Sequence, residues 1–142
     1  MELVETHSAV ETEALGARIA AGLEPGALVV VSGDLGAGKT TLVRGACRAL
    51  GVEEPVTSPT FTIGQRYRGA GVTVSHLDLY RLSGLDDEDP ALLDDYLTAD
   101  AIAFVEWPAA AAGRLGRPAL EVRMRHGGGD TREIELEPGP GR

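Results

Sequence analysis

The segment Gly33-Asp-Leu-Gly-Ala-Gly-Lys-Thr40 fits the spacing G-x-x-x-x-G-K-[ST]. Residues of these types at this spacing hold phosphates. Glycines at 33, 36 and 38 let the backbone turn tightly and point its N–H groups inward. A helix that starts at the end of such a loop adds the positive end of its dipole. The lysine then reaches the terminal phosphates, and the hydroxyl after it can meet a divalent cation. Gly33, Leu35, Gly36, Ala37, Gly38, Lys39, Thr40 and Thr41 are the residues expected to hold a nucleotide. The basic residues strengthen this reading: of 13, twelve are arginine, and Lys39 is the only lysine in the chain. A composition so averse to lysine keeps one where a slim point charge serves better than a planar fork.

A phosphate loop needs an acidic partner to hold Mg²⁺ or orient water. Two carboxylates stand where apolar runs end: Asp78 after Val72-Thr-Val-Ser-His-Leu and Glu106 after Ala101-Ile-Ala-Phe-Val. In open α/β sheets ligands bind beyond the carboxyl ends of the strands. A carboxylate at a buried strand end calls for a partner or a metal. Thr57-Ser-Pro-Thr60 carries hydroxyls and a stiff proline between the phosphate loop and Asp78. It reads either as a loop that senses a terminal phosphate or as an ordinary capped turn. Arg44 and Arg48 share a helix face at i, i+4, as a docking patch or, more simply, a solvated surface. His7, His76 and His126 show no metal-ligand spacing, and Cys47 is expected as a small buried core residue.

The elements that must position these groups follow from periodicity. Residues 9–23 read as an amphipathic helix, with Val10, Ala14, Leu15, Ala17, Ile19 and Leu23 near one face and Ser8 as its cap. Ala27-Leu-Val-Val-Val31 is a continuous β-branched run, as in a buried parallel strand. A helix over 39–50 stops at Gly51. Strands are expected over 61–67 and 72–79 around a turn at 68–71, over 101–105, and over 120–125 and 131–137 around Gly127-Gly-Gly129. Residues 84–97 are acidic and helical in their second half, and 109–115 form a short helix. This pattern predicts an α/β fold: one P-loop NTPase domain over 1–137, a three-layer sandwich on a mixed, partly parallel sheet. Residues 138–142 are expected as a frayed tail.

With 142 residues, 43% hydrophobic and 25% charged, the chain has ordinary globular composition. It has no apolar run long enough for a transmembrane helix and no basic-then-apolar leader. The cytoplasm is the expected compartment, with no membrane partner. A net charge of −9 suits a protein partner better than a polyanion, because nucleic-acid affinity rests largely on phosphate neutralisation.

Four blocks occur in order: Gly33-Asp-Leu-Gly-Ala-Gly-Lys-Thr-Thr41, Ser58-Pro-Thr-Phe61, His76-Leu-Asp-Leu-Tyr-Arg-Leu82 and Glu106-Trp-Pro108. Together they resemble the TsaE (YjeE) family, the ATPase of bacterial tRNA threonylcarbamoyladenosine (t6A) synthesis, over about Ser8 to Leu136. The resemblance implies ATP and Mg²⁺ as cofactors. It implies partnership with the transferase TsaD and its companion TsaB, with tRNA met only through them. It places Thr40 and Glu106 at the metal, makes Asp78 necessary for hydrolysis alongside Lys39, brings Arg132 to the nucleotide, and sets Ala9 and Thr12 near the base. Ala109 to Ala112 and Leu93 depart from the family's pattern, at positions bearing on partner surfaces. A small-molecule or nucleoside kinase is the alternative. Against it, the acidic segment 84–97 has no arginine to close over a triphosphate. A GTPase would need an Asn-Lys-x-Asp motif, which a chain with one lysine at position 39 does not have.

Overall fold

The computed structural model describes residues 1–33, 38–57, 64–79, 93–106, 115 and 117–139. The element order is β1 (Glu2–Thr6), α1 (Ala9–Ala21), β2 (Leu28–Gly33), α2 (Lys39–Ala49), β3 (Gly64–Arg68), β4 (Thr73–Asp78), β5 (Ala101–Glu106), β6 (Leu120–His126) and β7 (Arg132–Pro138). All seven strands form one sheet in the order β1-β7-β6-β2-β5-β4-β3. Its centre is parallel: β6 with β2, β2 with β5, and β5 with β4. Antiparallel pairs close both sides, β3 on β4 and β7 with β1 beyond β6. The expected α/β fold with a mixed sheet is the fold observed.

Strand alternation sorts the side chains into two layers. Val29, Val31, Val74, Ile102, Phe104, Val122, Met124, Ile134 and Leu136 face α1 and α2. Leu28, Leu77, Leu79, Ala103 and Val105 face the other way, covered by Leu93, Tyr96, Leu97 and Leu115. Ser75 also faces that way, and its Oγ donates to the carbonyl of Tyr96 at 2.6 Å.

The two helices cross in close contact. A Cβ on Gly16 would lie 2.1 Å from the carbonyl oxygen of Leu42, and one on Gly45 would lie 2.0 Å from that of Glu13. Glycine at both positions lets the backbones touch, so α1 is locked onto the helix that begins at the phosphate loop. This contact also corrects the expected apolar face of α1. Thr12, Leu15, Gly16, Ile19 and Ala20 are buried, whereas Val10 is 77% exposed and Ala14 is exposed. The buried stripe is centred on the glycine that touches α2, which a hydrophobicity pattern cannot register.

Strand β1 was not expected. Its residues are mostly exposed, because it lies at the sheet edge with only β7 beside it, so no alternation marks it. At the other end, Pro138 and Gly139 do not fray: Pro138 pairs with Leu120, and Gly139 N–H donates to the carbonyl of Ala119 at 3.1 Å. The ladder holds them, although proline and glycine read as tail residues. Residues 140–142 lie outside the described residues, as do 58–63, 84–92 and 109–114, where a loop, part of a strand and two helical stretches are expected. Leu93–Tyr96 is a turn and not helix.

Arg44 is half-buried and Arg48 exposed, and both hydrogen-bond to nearby carbonyls. Arg44 Nε donates to the carbonyl of Val56 at 3.2 Å, and Arg48 Nη1 donates to those of Val52 and Glu54, each at 3.1 Å. They brace the segment that leaves α2. Cys47 is fully buried, and burial pushes its thiol up to about 12.

Candidate nucleotide site

The parallel core brings the chemical groups to one edge. Strands β2, β5 and β4 run the same way and end at Gly33, Glu106 and Asp78. Asp78 and Glu106 are register partners, so their side chains leave the same face of the sheet. That face is the one α2 covers, since Val74 and Phe104, at the same parity, lie in the core under the helices.

Gly33 must be glycine. Its φ is +141°, and a Cβ would lie 2.1 Å from the carbonyl oxygen of Met124 on β6. This contact lets the chain leave β2 tightly against its neighbour. Gly38, in the left-handed region, is the N-cap of α2 and supplies no side-chain cap. Lys39, 5% exposed, folds back so that Nζ donates to the carbonyl of Gly33 at 3.2 Å. The lysine thereby spans the loop from its last residues to its first.

Thr40 Oγ1 donates to Glu106 Oε2 at 3.1 Å. The same carboxylate oxygen stands 2.5 Å from Nε2 of His76. Glu106 is 3% exposed and His76 is fully buried. A buried carboxylate is tolerable only when it is paired and hydrogen-bonded, and here two donors meet it. Thr40 and Glu106 together offer hard oxygen ligands of the kind Mg²⁺ accepts, with phosphate and water to complete the shell.

A cleft of about 100 Å³ lies beside Gly38, lined by Ser8, Ala9, Thr12, Thr41, Asp130 and Arg132. It gathers residues from the start of α1, the start of α2 and the β6–β7 turn. Thr12 is held by Thr6 through their hydroxyls at 2.8 Å. Arg132 Nη1 donates to the carbonyls of Gly129 and Thr131, each at 2.9 Å, which fixes the guanidinium at the turn. Two larger hollows lie at the opposite, amino ends of the strands, lined in part by Leu23, Pro25, Ala119 and by Leu97, Ala101, Arg117. Among the described residues, neither is lined by Gly33, Gly38 or Lys39.

The sequence-derived residues thus fall into two adjoining groups. Gly33, Lys39, Thr40, Asp78 and Glu106 gather at the strand ends; Ala9, Thr12, Gly38, Thr41 and Arg132 gather at the cleft. Leu35, Gly36, Ala37, Ser58 to Phe61 and Trp107 lie outside the described residues. Sequence reasoning missed His76, Asp130 and Thr6. The signal for His76 was present: it stands two residues before Asp78 in a strand, on the same face, where a fully buried imidazole needs a partner. Asp130 and Thr6 had none: the β6–β7 turn brings Asp130 to the cleft, and β1–β7 pairing brings Thr6 beside Arg132.

A strand, a glycine-rich turn, a lysine and a threonine at a helix start, and a carboxylate on the adjacent strand define a P-loop nucleotide-binding protein. Residues 6–134 match the family model described as "Threonylcarbamoyl adenosine biosynthesis protein TsaE", and the chain belongs to that family. It is 44% identical over 119 residues to the tRNA threonylcarbamoyladenosine biosynthesis protein TsaE of Streptomyces coelicolor, covering 82% of this chain and 80% of that one. It is 36% identical over 124 residues to the Bacillus subtilis protein of the same name, covering 87% and 77%. The crystal structure of YdiB from Bacillus subtilis superposes with a TM-score of 0.78 at 32% identity, over 95% of this chain and 83% of that one.

Proposed function

We propose that this protein binds ATP with Mg²⁺ and hydrolyses it, slowly alone and faster with TsaB and TsaD, in the formation of t6A at adenosine 37 of tRNAs reading ANN codons. The observation that carries the reading is the Thr40–Glu106 hydrogen bond. It joins a helix start to a strand end, at the place where a P-loop protein holds its cation. Mg²⁺ bound there would neutralise phosphate charge and orient the terminal phosphate. Thr40 and Glu106 would hold it. Lys39 would exchange its bond to the Gly33 carbonyl for the terminal phosphates, while the α2 N–H groups and the backbone of Leu35, Gly36 and Ala37 would cradle them. Asp78, next to Glu106 in register, would orient the attacking water. Ala9, Thr12, Thr41 and Arg132 would enclose the rest of the nucleotide in the cleft.

Partner dependence follows from charge and from the site's make-up. A net charge of −9 favours docking on protein over gripping tRNA directly. P-loop proteins often await a group or a loop ordered by a partner before they turn over quickly. The family membership supports the pathway, and a cytoplasmic location fits it. No described helix is long and apolar enough to cross a membrane.

The test is ATP hydrolysis by the purified chain with and without TsaB and TsaD, together with t6A measured by mass spectrometry of digested tRNA from depleted cells. Hydrolysis that rises with the partners, and t6A that falls on depletion, are expected. Rapid transfer of the γ-phosphate to a nucleoside or sugar, with normal t6A after depletion, would replace this reading with the kinase.

A further inference from the structure

We propose that His76 is a positioning residue for Glu106. Its Nε2–H donates to Oε2, and with Thr40 it holds that oxygen so that Oε1 is left for the cation. The inference rests on the nucleotide-site reading and assigns a role to a side chain that reading leaves unused.

The placement comes from the sheet. His76 is the register partner of Phe104, and Glu106 stands two residues farther along β5. The imidazole therefore meets the carboxylate diagonally, across adjacent parallel strands. Every second residue of β4 faces the helices: Val74 lies in the core, His76 meets Glu106, and Asp78 stands beside Glu106 at the edge. One strand thus supplies in order a packing group, a positioning group and a reactive group.

The tautomer follows from the partners. His76 is fully buried, and its Nδ1 has no hydrogen-bond partner among the described residues. A proton on Nδ1 alone would turn the Nε2 lone pair toward a carboxylate oxygen and leave a buried donor unmet. With a proton on Nε2, the close contact to Oε2 is a charge-assisted hydrogen bond.

The consequence is directional. Both donors land on Oε2, while Oε1 makes no hydrogen bond among the described residues. A carboxylate pinned by one oxygen cannot rotate, and its other oxygen is fixed relative to Thr40. Residues that orient a metal-binding carboxylate typically contribute about 10- to 100-fold to metal affinity or activity.

The experiment compares His76→Leu, which removes the donor, with His76→Gln, whose amide N–H reaches a similar position, each alone and with Glu106→Gln. ATP affinity is measured in EDTA and across a Mg²⁺ titration. His76→Leu should leave EDTA affinity within about threefold and raise the Mg²⁺ needed for half-maximal tightening by about tenfold or more. His76→Gln should restore most of that tightening. In the Glu106→Gln background, His76→Leu should change Mg²⁺ dependence by less than about twofold, because it acts through the carboxylate. Equal Mg²⁺ dependence in wild type and His76→Leu, equal losses in both backgrounds, or a glutamine variant no better than leucine would each overturn the role. Should the leucine variant fail to fold, ¹⁵N NMR of the wild-type imidazole decides: a proton on Nε2 whose signal responds to Glu106→Gln supports the proposal, and an Nε2 without a proton overturns it. A wild-type chain that binds no ATP with Mg²⁺ would instead overturn the nucleotide reading, a result separate from any of these.

Discussion

Two helix N-termini open onto the same cleft, and they are finished in opposite ways. At α1, Ser8 is extended and its Oγ accepts from the N–H of Glu11 at 3.1 Å. The Glu11 carboxylate in turn accepts from the N–H of His7 at 2.7 Å. The helix closes its own end, with an acidic residue in the first turn as the dipole favours. At α2 the N-cap is Gly38, no side chain caps it, and no acidic residue stands in the first turn; the first residue is the chain's one lysine. Identical backbone chemistry is capped by a side chain at the first helix and by none at the second, as the proposed phosphate role of α2 requires. Under the proposed function the α1 end serves stability and the α2 end binding, and each should be open to perturbation without the other.

The largest expected effect is at the open end. Lys39→Ala should lower ATP affinity or turnover by about 100-fold or more, in line with loss of a preorganised charge partner for phosphate. The apolar core is untouched, so the protein should stay folded. Calorimetric ATP titration and a thermal melt read both parts. Unchanged affinity in a folded variant would erase the difference between the two helix ends.

Next is the contact that joins the ends. Gly45→Ala sets a Cβ against the Glu13 backbone and should cost about 2–3 kcal/mol, the upper range for overpacking. It should also weaken nucleotide binding, because Ala9 and Thr12 on α1 would shift away from Gly38 and Thr41 on α2. Cys47 offers a readout of α2. It is fully buried, so iodoacetamide at pH 8 should leave the native thiol unmodified and label the Gly45→Ala variant faster. Labelling at the same rate in both would mean that α1 does not clamp α2.

At the closed end the effect is smaller and of another kind. Ser8→Ala should cost about 1 kcal/mol of stability while ATP affinity changes by less than about threefold. Chemical denaturation alongside the same ATP titration checks this. A large affinity loss with unchanged stability would mean that Ser8 belongs to the site and not to the cap.

The last effect appears only at alkaline pH. Burial raises the Cys47 thiol to about 12 in the folded chain, so between the ordinary thiol range and about 12 the folded state keeps a proton that the unfolded chain releases. Its contribution to stability is fully present below the unfolded value and declines as pH rises through that window. Denaturation at pH 8 and pH 10 should show a shallower decline for Cys47→Ala than for wild type. Parallel declines would mean the thiol is not sheltered beneath α2.

Much of this protein was legible in one dimension. The phosphate loop, its lysine and the helix after it are local in sequence, because the backbone turn, the dipole and the point charge must be contiguous to work. Asp78 and Glu106 were legible because a carboxylate ending an apolar run is costly unless it has a partner. Ser8 was legible because a cap acts within one turn. Tertiary structure decided what depended on neighbours far along the chain. Strand β1 exists because β7 offers it an edge, and it carries no alternation of its own. The buried face of α1 is set by Gly16 meeting the backbone of Leu42 and Ala46, and Gly45 that of Glu13, and hydrophobicity is blind to glycine. Ala9, Thr12 and Arg132 were named from a resemblance alone; sheet order and the α1–α2 contact are what bring them to one cleft. His76 looked like an idle histidine because its partner, Glu106, is thirty residues away and becomes its neighbour only when β4 and β5 lie parallel in one register. Burial and pairing are properties of the assembled sheet, and a residue whose work lies in another strand shows it only there.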